Sequence, residues 1–216
     1  METISVHYND DYYAYQREIC KFGGWANRIE FEKYINPDSD VLDFGCGEGY
    51  LLKGLNCKRK VGVEINPAAQ IEARENKVEV YTNTDEVKNE SIDVIISYHA
   101  LEHTLHPLCE LRLLHKKLRN GGTIIFFVPC ESINLKYKPN DINHHLYSWS
   151  PLSIGNLFQE AGFKVVESKH YNYKWPPHSK RLARLVGRNL FNILCKIYGR
   201  IEIGRSWSQV RVRGVK

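Results

Sequence analysis

The sequence predicts an α/β chain built on a doubly wound, mostly parallel seven-stranded sheet. Three observations carry the prediction. From Asp40 the chain alternates short apolar runs with stretches of helical spacing, the pattern of a parallel sheet with helices on both faces. The first run, Val41-Leu42, leads into Gly45-Cys46-Gly47-Glu48-Gly49, a glycine-rich strand-to-helix turn. The last run, Gln209 to Val215, alternates apolar and basic residues, which fits an antiparallel strand with one exposed face.

Residues 1–36 are read as an N-terminal helical cap. Tyr8, Tyr12, Tyr13, Tyr15 and Tyr34 crowd it, and helical spacing runs from Tyr12 to Tyr34 with a break at Gly23-Gly24. Residues 37–171 form the sheet core, with strands over 40–44, 60–64, 77–81, 92–97, 122–128 and 163–170. Asn120-Gly121-Gly122 ends the helix before the fifth strand. Pro129 ends that strand, since it offers no N–H to a ladder. Residues 172–206 form a long basic helical insertion, opened by the rigid segment Trp175-Pro176-Pro177. Its helix places Leu182, Leu185, Val186, Leu190, Leu194 and Ile197 on one stripe, with Lys180, Arg181, Arg184 and Arg188 punctuating the first half. Residues 207–216 hold the last strand, paired antiparallel beside the sixth. The whole, 1–216, reads as a single domain.

No stretch approaches the roughly 18–20 consecutive apolar residues of a membrane span, and Met1 to His7 lacks the basic-then-apolar design of an export signal. Six cysteines without a C-x-x-C pair read as free thiols in a reducing cytoplasm. The net charge of +5 is unevenly spread. Residues 174–216 hold 11 Lys or Arg and one acid, Glu202, while the rest of the chain holds 19 basic and 24 acidic residues. Such a tail either meets an anionic partner or surface, or is a solvated helix face. Through 178–200, a basic amphipathic helix can bring a cytoplasmic protein to the membrane periphery.

The turn at 45–49 carries the chemistry. Without Cβ atoms the backbone can approach a ligand closely, and its amides with the next helix N-terminus form an electropositive rim. Asp43 and Glu48 set carboxylates beside that rim, so a phosphate is disfavoured and a cationic amine is favoured. Glu64 lies 21 positions beyond Asp43, at the tip of the second strand, where an acid can accept both hydroxyls of a ribose. The glycine spacing departs from G-x-G-x-x-G, which argues against a dinucleotide.

Val41–Gly49 resembles the first motif of the class I S-adenosylmethionine-dependent methyltransferases, and Val61–Asn66 the second. Ser91–His103 looks like their fourth strand and the segment after it. Leu118–Pro129 looks like the helix end, Gly-Gly turn and fifth strand, and Leu157–Phe163 like the helix end before the sixth. The resemblance covers about residues 38–171. It implies a Rossmann-like sheet and S-adenosylmethionine as cosubstrate, released as S-adenosylhomocysteine after in-line methyl transfer. It sets Asp43, Gly45, Cys46, Gly47 and Gly49 at the methionine end, Glu64 on the ribose and Ile65 on the adenine. Asn83 or Thr84 would meet the base edge, and Ser97 and Tyr98 would line the methionyl portion.

An oxygen nucleophile needs a base, and histidine titrates in the right range. His145 is placed first, then His144, because their loop after the fifth strand faces the transferable methyl in this fold. An alternative uses His99, Glu102, His103 and His145 as metal ligands. That set is similar to the one in small-RNA 2′-O-methyltransferases and ubiquinone-pathway O-methyltransferases, which carry Glu where His99 stands. Leu-Glu-His also occurs in metal-free members of the fold, and the site is read as metal-free. Asp141–Pro151 looks like small methyltransferases encoded among bacterial polysaccharide and lipid genes. This implies a hydroxyl acceptor that is small, sugar-like, or a lipid- or phosphate-linked glycan. RNA is the runner-up, with Tyr171, Tyr173, Trp175 and Trp207 as stacking candidates. A non-catalytic regulator or partner subunit that binds the cosubstrate is the reading from another class.

Overall fold

Seven strands, β1 (Asp40–Phe44), β2 (Arg59–Val63), β3 (Glu79–Tyr81), β4 (Ile92–Tyr98), β5 (Leu118–Cys130), β6 (Lys164–Tyr171) and β7 (Ser208–Val215), join in one sheet. Their order is β3-β2-β1-β4-β5-β7-β6. The first five run parallel, and β7 runs antiparallel to both neighbours. The computed structural model describes residues 10–132, 134–139, 141–201 and 208–216; Tyr8, Glu202 and Trp207, with the side chains of Tyr12, Tyr13 and Tyr15, lie outside them.

The helices are α1 (Asp10–Asn27), α2 (Ile29–Glu32), α3 (Tyr50–Gly54), α4 (Pro67–Glu75), α5 (Pro107–Lys117), α6 (Pro151–Glu160) and α7 (Ser179–Ile201). Local chemistry starts several of them. Asn66 caps α4 by accepting from the amides of Ala68 and Ala69, with Pro67 at the first helical position. Ser150 and Pro151 do the same for α6.

Strand alternation splits the core between two faces. Leu42, Phe44, Ile95 and Phe126 meet Leu111 and Leu114 of α5 and Ile154 and Phe158 of α6. Val41, Val94, Ile96 and Phe127 meet Phe31 of α2, Leu52 of α3 and Phe191 and Cys195 of α7. Each of the fully buried Phe31, Phe126, Phe127, Phe158 and Phe191 contributes roughly 1.5–3 kcal/mol over its exposed state. Strand order reverses between β1 and β4, and the crevice outside their carboxyl ends is where open α/β sheets hold ligands.

Five expectations are corrected. Helix α1 runs through Gly23-Gly24 without a break, because Gly24 packs on the backbone of α3, where a Cβ would meet Tyr50 C at 2.7 Å. The helix before β5 ends at Lys117 rather than at the Asn-Gly-Gly turn, since Leu118 already pairs with Ile92. Pro129 does not end β5, which continues to Cys130. The carbonyl of Phe127 accepts from His99, and that of Pro129 accepts from Trp149, a loop residue. The side on which Pro129 lacks an N–H is therefore one where β4 has already ended, and no ladder bond is lost. Strand β7 is interior, with Arg211 8% exposed and paired to Glu167 at 2.6 Å. Finally, Gly187 (φ 72°, ψ 171°) kinks α7 and shifts the phase of its apolar stripe. Ala183, Phe191, Cys195 and Gly199 are buried, while Leu185, Leu190 and Ile197 point outward.

Much of the basic tail is neutralised by the acidic body. Lys180 pairs with Glu18, Arg188 with Glu32, Lys196 with Glu30 and Lys216 with Glu90. All six cysteines are free thiols.

Candidate active site

The turn after β1 is tied to β2. The amides of Gly45 and Cys46 donate to the Val63 carbonyl at 2.9 and 3.1 Å, and the Gly49 amide donates to Cys46 O. Gly45, Gly47 and Gly49 have φ of +75°, +52° and +74°, a region that favours glycine. A Cβ on Gly45 would also lie 2.3 Å from Ala100 Cβ, and one on Gly49 2.7 Å from Val78. At Gly47 the nearest atom would be Cys20 Sγ at 3.7 Å, so backbone conformation alone demands glycine there.

Three acids converge on this turn. Asp43 is 4% and Glu48 2% exposed. Burial, then repulsion from Glu64, pushes the Asp43 carboxyl well above the usual range. Burial likewise pushes up Glu48 and Glu64. Among the described residues none of the three has an ion pair, so the cluster fits an added cation and rejects a pyrophosphate. Glu64 Oε2 accepts from the Gly47 amide at 2.9 Å and Oε1 from the Asn66 amide at 2.8 Å. Each oxygen keeps a lone pair for a ribose hydroxyl. Ile65, 46% exposed, stands at the rim.

Helix α1 covers the turn. Arg17 pairs with Glu72 at 2.9 Å, Tyr50 donates to the same carboxylate, and the Cys20 thiol sits against Glu48 and lowers its carboxyl in part. Other expected residues are held elsewhere. The Ser97 hydroxyl donates to Phe44 O at 2.7 Å and stitches β1 to β4. Tyr98 stacks on Phe127 at 5.2 Å, in the cluster that also holds Phe31 and Phe191. Asn83 closes a turn by donating to Glu86, and Thr84 donates to Glu110 of α5.

A second constellation lies beyond β4 and β5. Glu102, in a 3₁₀ turn over Leu101–His103, is fully buried. His99 Nδ1 stands 3.4 Å from its Oε1. Burial works to raise this carboxyl, but its bond to His99 outweighs it and holds the group low. Burial pushes His103 down to about 4, which keeps it neutral. The loop after β5 brings in His145, whose ring lies 5.0 Å from that of His103. His145 Nδ1 bonds Glu131 Oε1 at 2.7 Å, and Leu146 N donates to Glu102 O. Ligand atoms of Glu102, His103 and His145 all lie within 4.8 Å of one another. His99 stays outside that trio, and His144 sits in an exposed turn with its amide on Asp141. Glu131 was not anticipated, although an acid just past the tip of β5 follows the same logic that singled out Glu64 past β2.

The acid-rimmed glycine turn lies where strand order reverses between β1 and β4, and it is the candidate cosubstrate site. The methyltransferase-domain family profile matches residues 13–168, and the chain belongs to the class I S-adenosylmethionine-dependent methyltransferase family. The ubiquinone biosynthesis O-methyltransferase of Ruegeria pomeroyi is 24% identical over 161 residues, covering 61% of this chain and 62% of the relative. The ribosomal protein L11 methyltransferase of Thermosipho africanus is 30% identical over 139 residues, covering 57% and 51%. The chain thus spans roughly half the length of the curated relatives it matches. In fold it is similar to an Archaeoglobus fulgidus S-adenosylmethionine-dependent methyltransferase, with TM-score 0.60, 19% identity and coverage of 93% and 94%. It is also similar to Haemonchus contortus phosphoethanolamine N-methyltransferase 2 in complex with S-adenosylmethionine, with TM-score 0.65, 12% identity and coverage of 90% and 53%.

Proposed function

We propose that the chain transfers a methyl group from S-adenosylmethionine to a hydroxyl of a small, sugar-like or lipid-linked acceptor. The observation that carries this reading is the acid cluster around the glycine turn, whose buried carboxylates suit a cosubstrate bearing an ammonium and a sulfonium. The bound cosubstrate supplies an electrophilic methyl. Asp43 and the Gly45–Gly49 backbone hold its amino-acid end, Glu64 takes the ribose hydroxyls and Ile65 covers the base. Glu131 fixes His145 through Nδ1, which leaves Nε2 to take the proton from the acceptor hydroxyl. Holding the nucleophile in line supplies much of the acceleration. A groove between α1 and the start of α7, lined by Ile19, Phe22 and Trp175 with the Glu18–Lys180 pair and Arg181 beside them, suits an acceptor with an apolar part and an anionic group for Arg181.

A second reading, favoured by the closeness of Glu102, His103 and His145, gives that trio to a metal ion. The ion would polarise the acceptor hydroxyl, with Glu131 orienting His145 from behind. Elemental analysis of the purified protein and of Glu102→Gln separates the two: stoichiometric metal that the variant loses replaces the base reading.

The decisive experiment is transfer of labelled methyl from S-adenosylmethionine into cell-extract fractions, alongside calorimetry of cosubstrate binding. Solvent-extractable label supports a lipid-linked acceptor. Nuclease-sensitive label moves the acceptor to RNA. Tight binding without label makes the chain a regulator or partner subunit, and no binding at all overturns the reading.

A further inference from the structure

The outer side of α7 has no counterpart in the chemistry above. After the kink at Gly187, Leu190, Ile193, Ile197 and Ile201 follow one another at spacings of 3, 4 and 4 and share one helix side. They are 46–67% exposed, while Phe191, Cys195 and Gly199 on the opposite side are buried. Before the kink, Leu185 is 77% exposed, next to the exposed Arg184 and one turn from the exposed Arg181. The helix contains no acid. Lys180, Arg188 and Lys196 are spent on Glu18, Glu32 and Glu30 of the body. Arg181, Arg184 and Arg200 carry no ion pair among the described residues.

A second exposed element leaves the same end of the sheet. Strands β5 and β6 both run antiparallel to β7, so both finish at the edge where the tips of β1 and β4 hold the site. The loop after β5 carries Leu135-Lys136-Tyr137-Lys138, fully on the surface, with Tyr137 90% exposed. Aliphatic side chains flanked by cations, joined by a tyrosine and two lysines, match the boundary between headgroups and acyl chains. No helix among the described residues is long and apolar enough to cross a membrane.

We propose that the outer side of α7, with the 135–138 loop, docks the protein on an anionic phospholipid surface and turns the mouth of the site toward the bilayer. This deepens, and rests on, the lipid-linked form of the acceptor reading. A second copy of the chain is the weaker occupant, because pairing α7 with itself would oppose Arg181, Arg184 and Arg200 to their own kind.

Vesicle co-sedimentation of the full chain tests it. Vesicles of phosphatidylcholine with one-third phosphatidylglycerol should carry the protein down, and phosphatidylcholine alone should not. Binding should weaken with salt. Ile193→Asp/Ile197→Asp and Arg184→Glu/Arg200→Glu should each lower partitioning by roughly tenfold or more. Circular dichroism and S-adenosylmethionine calorimetry, unchanged in both variants, show that the fold and the site survive. A wild-type protein that stays in the supernatant, variants that sediment equally well, or a dimer in light scattering that Ile193→Asp/Ile197→Asp splits would each overturn the docking. Vesicle binding without cosubstrate binding would remove the methyl-transfer reading and leave the docking in place. The reverse pattern removes the docking alone.

Discussion

At one end of the sheet, two buried carboxylate sites meet opposite surroundings. Asp43, with Glu48 and Glu64 near it, has only like charges for company, and all three are pushed up. Glu102 is buried more completely, yet His99 holds it low. Burial acts in the same direction on both, so the neighbours decide. On the proposed reading, the first site is completed by a cation from outside the chain. The second brings its own imidazoles, and on the same reading its work is to position His145 as the base.

The hardest test of this contrast is His145→Ala. It should lower kcat by roughly 10²- to 10⁴-fold and leave S-adenosylmethionine affinity unchanged in calorimetry. A comparable loss of affinity would merge the two sites into one. Next, Asp43→Asn should weaken cosubstrate binding by about 10- to 100-fold, the scale of a lost charge-assisted bond. Equal affinity would mean that the acid cluster serves the fold rather than the ligand.

The third test is pH. Raised pKa values at Asp43, Glu48 and Glu64 favour the fold fully below about pH 4, and that contribution is lost as pH climbs through the raised values. His103, held down to about 4, acts oppositely: its contribution is present above about pH 6.5 and lost as pH falls toward 4. The difference between Asp43→Asn and wild type isolates the first effect. Without ligand, the variant should melt higher, by roughly 2–4 °C for each pH unit by which Asp43 is raised, with the gap widening from acid to neutral pH. A gap that stays flat across that range refutes the repulsion argument. The smallest effect belongs to His144→Ala, which should change kcat less than about twofold, since the exposed turn keeps His144 off the trio. A loss as large as that of His145→Ala would return the base to its neighbour.

The sequence alone sufficed where interactions are local. The glycine turn between β1 and α3 sits within one strand-to-helix unit, and strand alternation with helices predicts the parallel sheet. What it hid is long-range. Arg211 reads as exposed because the alternation of β7 says nothing about Glu30 and Glu167, which bury and pair it. Gly187 reads as an ordinary helix residue until its φ is known. Ser97 and Asn83 have the right polarity at the right strand tips, yet Phe44 and Glu86 claim their hydrogen bonds. Glu131 joins His145 only across a loop of 13 intervening residues.

The position of β7 has a consequence for biosynthesis. It follows β5 and β6 in chain order, yet it lies between them. Until residues 208–215 emerge, those two strands have no common neighbour, and Phe126 and Phe127 stand beside an unfilled slot. Closure of the sheet therefore waits on residues 208–215, and until then the nascent chain carries an apolar, unpaired edge of the kind that chaperones shield.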